Sequence, residues 1–245
     1  MEELINLLCN LGYTKEESKE ILNTYSLNAY KPETLKKKIE EINIYMKKLG
    51  YSKKEVIKMP AIYSYSIDNI KQKIEDMKKL GYSKKEVIKM TKSLPAIYGY
   101  SIDNIKKKIE DMKKLGYSKE EVIKMTKSLP SIYCLSIDNI KKKIEDMEEL
   151  GYSKEEVIKM TKNLPQIYGY NTDNIKQKIE DMKKLGYSKE EVIKMTKNLP
   201  SIYSLNIDNI KQKIEDMEKL GYSKEEVIKM TKNLPSIYSL NIDNI

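Results

Sequence analysis

Hydrophobic residues recur at helical spacing through most of the chain. Between residues 66 and 80, Ile67, Ile70, Ile74 and Met77 stand three or four positions apart, with polar residues between them. This spacing places the apolar side chains on one face of an amphipathic helix of about four turns. We call this predicted helix, and each later copy of it, helix A.

A second helix is predicted directly after helix A. Gly81 stands where the end of a helix needs a left-handed residue. The next segment has the sequence of a capping box, with Ser83 as the N-cap residue and Glu86 at the third helical position, and Tyr82 and Val87 flank it as a hydrophobic staple. We therefore expect a helix to begin at Ser83, and we call it helix B.

Helix B is predicted to end at Pro95, because proline cannot continue a helix interior and disfavours helical geometry at the residue before it. The segment from Pro95 to Tyr100 is too short for another packed α-helix, so Ile97 and Tyr98 are expected to anchor one 3-10 turn. The side chains of helix B that are expected to face inward are Val87, Ile88, Met90 and Leu94.

These features repeat every 35 residues. Leu-Pro begins at positions 94, 129, 164, 199 and 234, and Gly-Tyr-Ser begins at positions 81, 116, 151, 186 and 221. Full repeats therefore begin at Ser66, Ser101, Ser136, Asn171 and Asn206, and a sixth begins at Asn241. Residues 1–65 are irregular, since Gly50 precedes Gly81 by only 31 residues, and atypical terminal repeats act as caps.

The helices of one repeat depend on the neighbouring repeats. Neither helix is long enough to be stable alone in water, and neither can bury its apolar face without an adjacent copy. We therefore predict an all-α fold, a right- or left-handed α-solenoid of tandem ~35-residue repeats with two α-helices and one 3-10 turn each. A single solenoid domain is expected, with residues 1–65 as irregular N-terminal capping repeats and residues 66–245 as five near-identical repeats and the start of a sixth.

Composition favours this arrangement over one compact core. The chain has 34% charged residues and neither Phe nor Trp, so few bulky apolar side chains are available. The net charge of +9 comes from 46 lysines, because the sequence contains no arginine. A basic balance suits a polyanionic partner, although a biased composition of the gene would give the same lysine excess.

The residue types on which catalysis usually depends are scarce. The chain has no histidine, its two cysteines, Cys9 and Cys134, are far apart in sequence, and no glycine-rich phosphate loop is present. We therefore predict that the protein is not an enzyme and has no metal site and no cofactor. No secretory or transit signal and no long apolar run is found, so we expect a cytoplasmic protein without membrane contact.

Lysines recur in columns on both helices. In helix B, Lys85, Lys89 and Lys92 are expected to share the solvent-facing side, and in helix A, Lys71 and Lys73 flank the apolar stripe. Stacking would align the copies of each lysine in rows, and rows of ammonium groups can follow a phosphate backbone.

The lysine excess is concentrated early in the array. Residues 66–135 contain 16 lysines and 9 acidic residues, whereas residues 136–240 contain 19 and 18. A bound polyanion should therefore contact the first two full repeats most strongly, mainly through the phosphate backbone and with low sequence specificity, because lysine lacks the planar fork of arginine. For helix B itself the sequence favours a solvated face, on which Glu120 pairs with Lys124. The predicted nucleic-acid-binding residues are Lys71, Lys73, Lys78, Lys89, Lys92, Lys106, Lys108, Lys113, Lys124 and Lys127.

The repeat resembles that of the mitochondrial transcription termination factor family. The resemblance is clearest from Met112 to Tyr133, "MKKLGYSKEEVIKMTKSLPSIY", and extends over essentially the whole chain from Leu7. It implies units of two α-helices and one 3-10 turn, stacked into a curved superhelix whose basic inner surface binds nucleic acid.

Three functions are consistent with the sequence. The leading prediction is binding of nucleic acid, either DNA or RNA. The second is a protein-protein interaction scaffold that holds a peptide or another protein domain on the same solenoid. The third is end-to-end self-association through the C-terminal edge at Asn241 to Ile245. The tyrosines of the 3-10 turns are expected to close each repeat, with base stacking as the alternative if they are exposed: Tyr98, Tyr133, Tyr168, Tyr203 and Tyr238.

Overall fold

The computed structural model describes residues 1–240, which form helices and no β-strand. The α-helices are α1 Glu2–Cys9, α2 Lys15–Thr24, α3 Pro32–Lys48, α4 Lys53–Ile57, α5 Ile67–Leu80, α6 Lys84–Ser93, α7 Ile102–Leu115, α8 Lys119–Ser128, α9 Ile137–Glu149, α10 Lys154–Asn163, α11 Thr172–Lys184, α12 Lys189–Asn198, α13 Ile207–Lys219 and α14 Lys224–Asn233. The 3-10 turns are Leu27–Ala29, Pro60–Ser64, Pro95–Gly99, Pro130–Cys134, Pro165–Gly169, Pro200–Ser204 and Pro235–Ser239. The start of the sixth repeat and the predicted self-association edge, from Asn241 onward, lie outside the described residues.

The chain divides into two compact parts, Met1–Lys108 and Ile109–Ile245. We call them the N-terminal part and the C-terminal part. In the C-terminal part, α8, α10, α12 and α14 pack on one another in sequence, and so do α9, α11 and α13. The prediction of an all-α helical-repeat solenoid is confirmed, whereas a single domain over the whole chain stays a prediction.

The local signals of the sequence place the helix ends as expected. The Ser66 hydroxyl accepts a hydrogen bond from the Asn69 N–H at 3.1 Å at the start of α5, and Gly81 follows α5 with a left-handed φ of 114°. The Ser83 hydroxyl and the Glu86 carboxylate cap α6 reciprocally, at 3.2 Å and 2.7 Å. Leu94 then leaves helical geometry with φ −136°, directly before the proline of the 3-10 turn.

Residues 1–65 contain two irregular units of the same kind. The first consists of α1, α2 and the turn Leu27–Ala29, and the second consists of α3, α4 and the turn Pro60–Ser64. In the second unit helix A is long, with 17 residues in α3, while helix B is only the 5 residues of α4. The full repeat in the same part has 14 residues in α5 and 10 in α6.

The core of each repeat is formed by the predicted apolar stripe and one threonine that the pattern did not predict. Ile70, Met77 and Val87 are almost fully buried, as expected. Leu94 is only half-buried, because it lies at the non-helical end of α6. Thr91 is fully buried, and so are its counterparts Thr126, Thr161, Thr196 and Thr231.

The buried threonine belongs to a cluster of three hydroxyl groups that joins adjacent repeats. Tyr117 precedes helix B of one repeat, and its hydroxyl lies 2.6 Å from the Thr161 Oγ1 of the next repeat and also bonds to the Tyr168 hydroxyl. In the N-terminal part, Tyr51 bonds in the same way to Thr91 and Tyr98. Because Tyr98 and Tyr168 are only 6% and 7% exposed, they close their repeats and present no ring face to bases.

Candidate nucleic-acid interface

The lysine in the last turn of helix B connects neighbouring repeats. Lys92 Nζ lies 3.0 Å from Glu55 Oε1 in the preceding unit and 5.3 Å from the centre of the Tyr51 ring. The same pair forms in the C-terminal part between Lys162 and Glu121 at 2.7 Å, Lys197 and Glu156 at 2.6 Å, and Lys232 and Glu191 at 2.7 Å. The lysines of this row are therefore engaged within the fold, although the sequence placed them on the solvent-facing side of helix B.

The glutamate of this pair caps its own helix and also forms an ion pair with the next repeat. Glu121 accepts the Ser118 backbone N–H at 2.7 Å as part of the capping box, while its other oxygen takes the ammonium group of Lys162. These hydrogen bonds, with that of Lys162 the larger effect, hold the pKa of Glu121 below its ordinary value. One carboxylate thus starts a helix and also holds the next repeat.

The inner lysine of helix A is also occupied. Lys73 donates to the backbone carbonyl of Tyr100, at the junction with the next repeat. Its counterpart Lys143 is buried and donates to the Tyr170 carbonyl at 2.6 Å and to the Thr172 hydroxyl at 2.9 Å. Burial lowers the pKa of both lysines. These side chains support the backbone between repeats and are poorly placed to reach a phosphate.

A second group of the predicted lysines forms ion pairs along its own helix. The pairs join Lys71 and Asp68 at 3.2 Å, Lys78 and Glu75 at 3.0 Å, Lys106 and Asp103 at 3.4 Å, and Lys113 and Glu110 at 3.2 Å. Such pairs are exposed and contribute little, so a phosphate can compete for the ammonium group. Lys108 and Lys127 stand at the positions of Lys73 and Lys92 in the next repeat, are half-buried, and are likewise not free.

Lys89 and Lys124 are the predicted residues that remain available. Both are exposed, and within residues 1–240 neither has a hydrogen bond or an ion pair. In particular, the pair expected between Glu120 and Lys124 does not form there. The same position is exposed and unpaired in Lys159, Lys194 and Lys229 of the C-terminal part. Because packed helices lie about 8–10 Å apart, Lys124 and these three lysines form a row of ammonium groups on neighbouring helices.

The N-terminal part carries the most basic helix B surface. The helix B surface has three exposed lysines in each of its two units without a partner among the described residues, namely Lys53 and Lys54 of α4, the C-cap residue Lys58, and Lys84, Lys85 and Lys89 of α6. The acid in each helix serves its capping box, and in Glu55 the Ser52 N–H, followed by Lys92, lowers the pKa from 4.5 to about 2. In the C-terminal part, acids replace Lys54 and Lys85 at Glu120, Glu155, Glu190 and Glu225.

Comparison with known families identifies the repeat. The family model for mTERF matches residues 1–72, 68–180 and 141–245, which together cover the whole chain. The chain belongs to the mTERF family. Proteins of this family are nucleic-acid-binding helical repeats of a non-enzymatic kind. A search of curated proteins finds no match to this sequence.

The described part of this mTERF-family chain shows neither a membrane-spanning helix nor a metal-binding cluster. Across residues 1–240, no helix is long and apolar enough to cross a membrane, and no group of three or more His, Cys, Asp or Glu side chains is arranged to hold a metal ion. The predicted location in the cytoplasm stays a prediction.

The sequence prediction missed part of the exposed lysine surface of this mTERF-family protein. Lys58 corresponds to Lys89, and Lys53 and Lys54 correspond to Lys84 and Lys85. The signal that could have identified them is the Ser52-to-Glu55 capping box, which aligns α4 with α6 although α4 is shorter.

Proposed function

We propose that this protein binds nucleic acid mainly through contacts of exposed lysines with the phosphate backbone, and that it does so with low sequence specificity. The proposal rests on one observation, the six exposed lysines of α4, its C-cap and α6 that have no partner within residues 1–240. The membership of the chain in a family of nucleic-acid-binding repeats supports it.

The lysine surface favours contact with phosphates over reading of bases. An ammonium group binds phosphate as a point charge, whereas bidentate recognition of guanine needs the planar fork of arginine, which this chain lacks. The tyrosines of the 3-10 turns are buried or half-buried, so they offer little surface for stacking. We therefore propose binding to DNA or RNA that depends on charge more than on sequence, and no catalytic role.

The later repeats suggest a conservative way to test this surface. Glutamate stands at the position of Lys54 and Lys85 in the repeats of the C-terminal part, where the same capping box and helix form. The double variant Lys54→Glu/Lys85→Glu should therefore fold. The matched control is Lys154→Glu/Lys189→Glu, which makes the same charge change at exposed, unpaired lysines of the C-terminal part.

The measurement is the affinity for a mixed-sequence oligonucleotide as a function of salt. A protein that neutralises six phosphates should lose about a thousandfold in affinity between 50 and 200 mM salt. The Lys54/Lys85 variant should bind more weakly than the control, and its log–log salt slope should fall by about 1.8 for duplex DNA if two contacts are lost. No binding at 50 mM salt, or equal losses in both variants, would contradict the proposal.

A further inference from the structure

A groove with an apolar floor lies between α3 and α4 in the N-terminal part. Its volume is about 360 Å³, and its lining includes Ile44, Val56, Lys47 and Lys53. Ile44 is 58% exposed, which is unusual for a large aliphatic side chain in this protein. Both lysines are exposed, and neither has a hydrogen bond or an ion pair with the residues that the structure describes. The groove thus combines an uncovered aliphatic surface with two free positive charges.

The full repeats carry different residues at this place. Gly50 and Gly81 both end helix A in left-handed geometry, and aligning them places Ile44 at the position of Glu75. All five full repeats have glutamate there: Glu75, Glu110, Glu145, Glu180 and Glu215. Where the lysine at the Lys47 position is retained, this glutamate pairs with it, as in Lys78–Glu75 at 3.0 Å, Lys113–Glu110 at 3.2 Å and Lys183–Glu180 at 2.9 Å.

This difference changes the chemistry of the surface. With Ile44 in place of glutamate, Lys47 has lost its pairing partner one turn away on the same helix. The same substitution adds apolar surface beside the ammonium group. The ammonium group of Lys47 is therefore available to a carboxylate of another molecule, and the side chain of Ile44 is available to an apolar side chain of that molecule.

The groove suits an aliphatic side chain better than a nucleobase. The aromatic ring in its lining belongs to Tyr51, which is only 3% exposed, and the ammonium group of Lys92 lies 5.3 Å from the centre of that ring. The hydroxyl of Tyr51 is engaged by Thr91 and Tyr98. A base would therefore have no open aromatic face on which to stack, whereas the exposed side chain of Ile44 provides aliphatic contact.

We propose that this groove binds an acidic amphipathic helix of another protein. One apolar side chain of that helix packs on the exposed Ile44, and carboxylates on either side of it approach Lys47 and Lys53. Docking of an apolar anchor in a groove gives the affinity, and the complementary charges at the rim give orientation and selectivity. This interaction goes beyond nucleic-acid binding, because it uses apolar contact with Ile44 and the ammonium group of Lys47, while Lys53 belongs to both proposed surfaces.

The test uses the full chain and a synthetic probe. The probe is a fluorescein-labelled helical peptide of about four turns, with leucines on one face flanked by glutamates, and its binding is followed by fluorescence anisotropy. In the protein, Ile44→Glu introduces the residue that the full repeats have at this position, so the variant should fold and pair with Lys47. Losing one buried aliphatic anchor should weaken binding of the peptide by about tenfold or more.

The matched control is Leu220→Glu, which makes the same kind of change at a leucine that is also 58% exposed, in the C-terminal part. It should leave the affinity for the peptide unchanged, and Ile44→Leu should retain most of it. A peptide whose leucines are replaced by serine should not bind. These four results together would support the proposal that the groove binds an acidic amphipathic helix.

Three results would overturn the proposal. The first is equal affinity of Ile44→Glu and the unmodified protein for the peptide. The second is an equal loss in Leu220→Glu, which would indicate nonspecific adhesion to apolar surface. The third is displacement of the peptide by a single-stranded oligonucleotide together with an equal loss of oligonucleotide affinity in Ile44→Glu, which would assign the groove to nucleic acid.

Discussion

Replacement of Tyr117 by phenylalanine would remove the central hydroxyl of a buried cluster that joins two repeats. This hydroxyl contacts Thr161 at 2.6 Å and also bonds to Tyr168. The Thr161 hydroxyl would keep its bond to the Val157 carbonyl at 2.8 Å, whereas the Tyr168 hydroxyl would lose the partner that Tyr117 provides. Two hydrogen bonds at about 0.5–1.5 kcal/mol each give an expected loss of about 1–3 kcal/mol in the free energy of unfolding.

The assay is urea unfolding followed by helical circular dichroism. With a slope of about 2 kcal/mol per M, this loss lowers the midpoint by roughly 1 M urea. Because repeats can open separately, hydrogen exchange of α8 and α10 should show the loss at the two helices that the cluster joins.

The chain contains its own control for this substitution. Tyr222 occupies the position of Tyr117 in the last described repeat, where it is 37% exposed and its hydroxyl makes no hydrogen bond within residues 1–240. Tyr222→Phe should therefore leave the midpoint unchanged. Equal shifts in the two variants would refute the reasoning, because both substitutions keep the ring and they would show that the cost does not come from the hydrogen bonds of the shared hydroxyl.

Two further predictions concern acid and the helix ends. Hydrogen bonds from Lys162 of the next repeat and from the N-cap Ser118 lower the pKa of Glu121. Its contribution to the free energy of unfolding is therefore present above its ordinary pKa of 4.5 and is lost as the pH falls below that value. Between pH 6 and pH 2.5, the urea midpoint should depend less steeply on pH in Glu121→Gln, but not in Glu120→Gln. Gly116→Ala should cost about 1–2 kcal/mol in urea unfolding, because its φ is +113° and a Cβ would lie 3.0 Å from Ile158 Cδ1. Gly169→Ala, with nothing within 4 Å of its Cβ, should cost far less.

The features that sequence analysis predicted correctly are local ones. A capping box, a left-handed glycine and a proline that ends a helix are decided by residues within a few positions of one another, so Ser83, Gly81 and Pro95 were enough to place the helix ends. The repeat period then placed every later copy. Thr91 was missed because its side chain is neither clearly apolar nor charged, and its burial depends on Tyr51 of the preceding unit, which is distant in sequence.

The availability of each lysine could not be predicted from periodicity alone. Lys89 and Lys92 lie on adjacent turns and were assigned to the same face of helix B. In the structure Lys89 is exposed and unpaired among the described residues, whereas Lys92 reaches Glu55 of the preceding unit. The helical angle between two positions predicts the direction in which each side chain points from its own helix. The packing of the neighbouring repeat determines which residues that side chain contacts.

This dependence on neighbours separates the lysines that join repeats from the lysines that stay exposed in nearly identical repeats. Lys232 forms an ion pair with Glu191 of the preceding repeat. Glu226 occupies the position of Glu191 in the next repeat, and it forms no ion pair with a lysine within residues 1–240. The lysine of the last helical turn is therefore bound wherever a preceding repeat supplies the acid, and it contributes little positive charge to the surface. The Lys89 row forms no ion pair within residues 1–240, although Lys194 and Lys229 help to lower the pKa of Glu191 and Glu226 on their own helices. Because no preceding repeat supplies an acid to this row, added repeats lengthen the exposed row of ammonium groups without weakening the contacts between repeats.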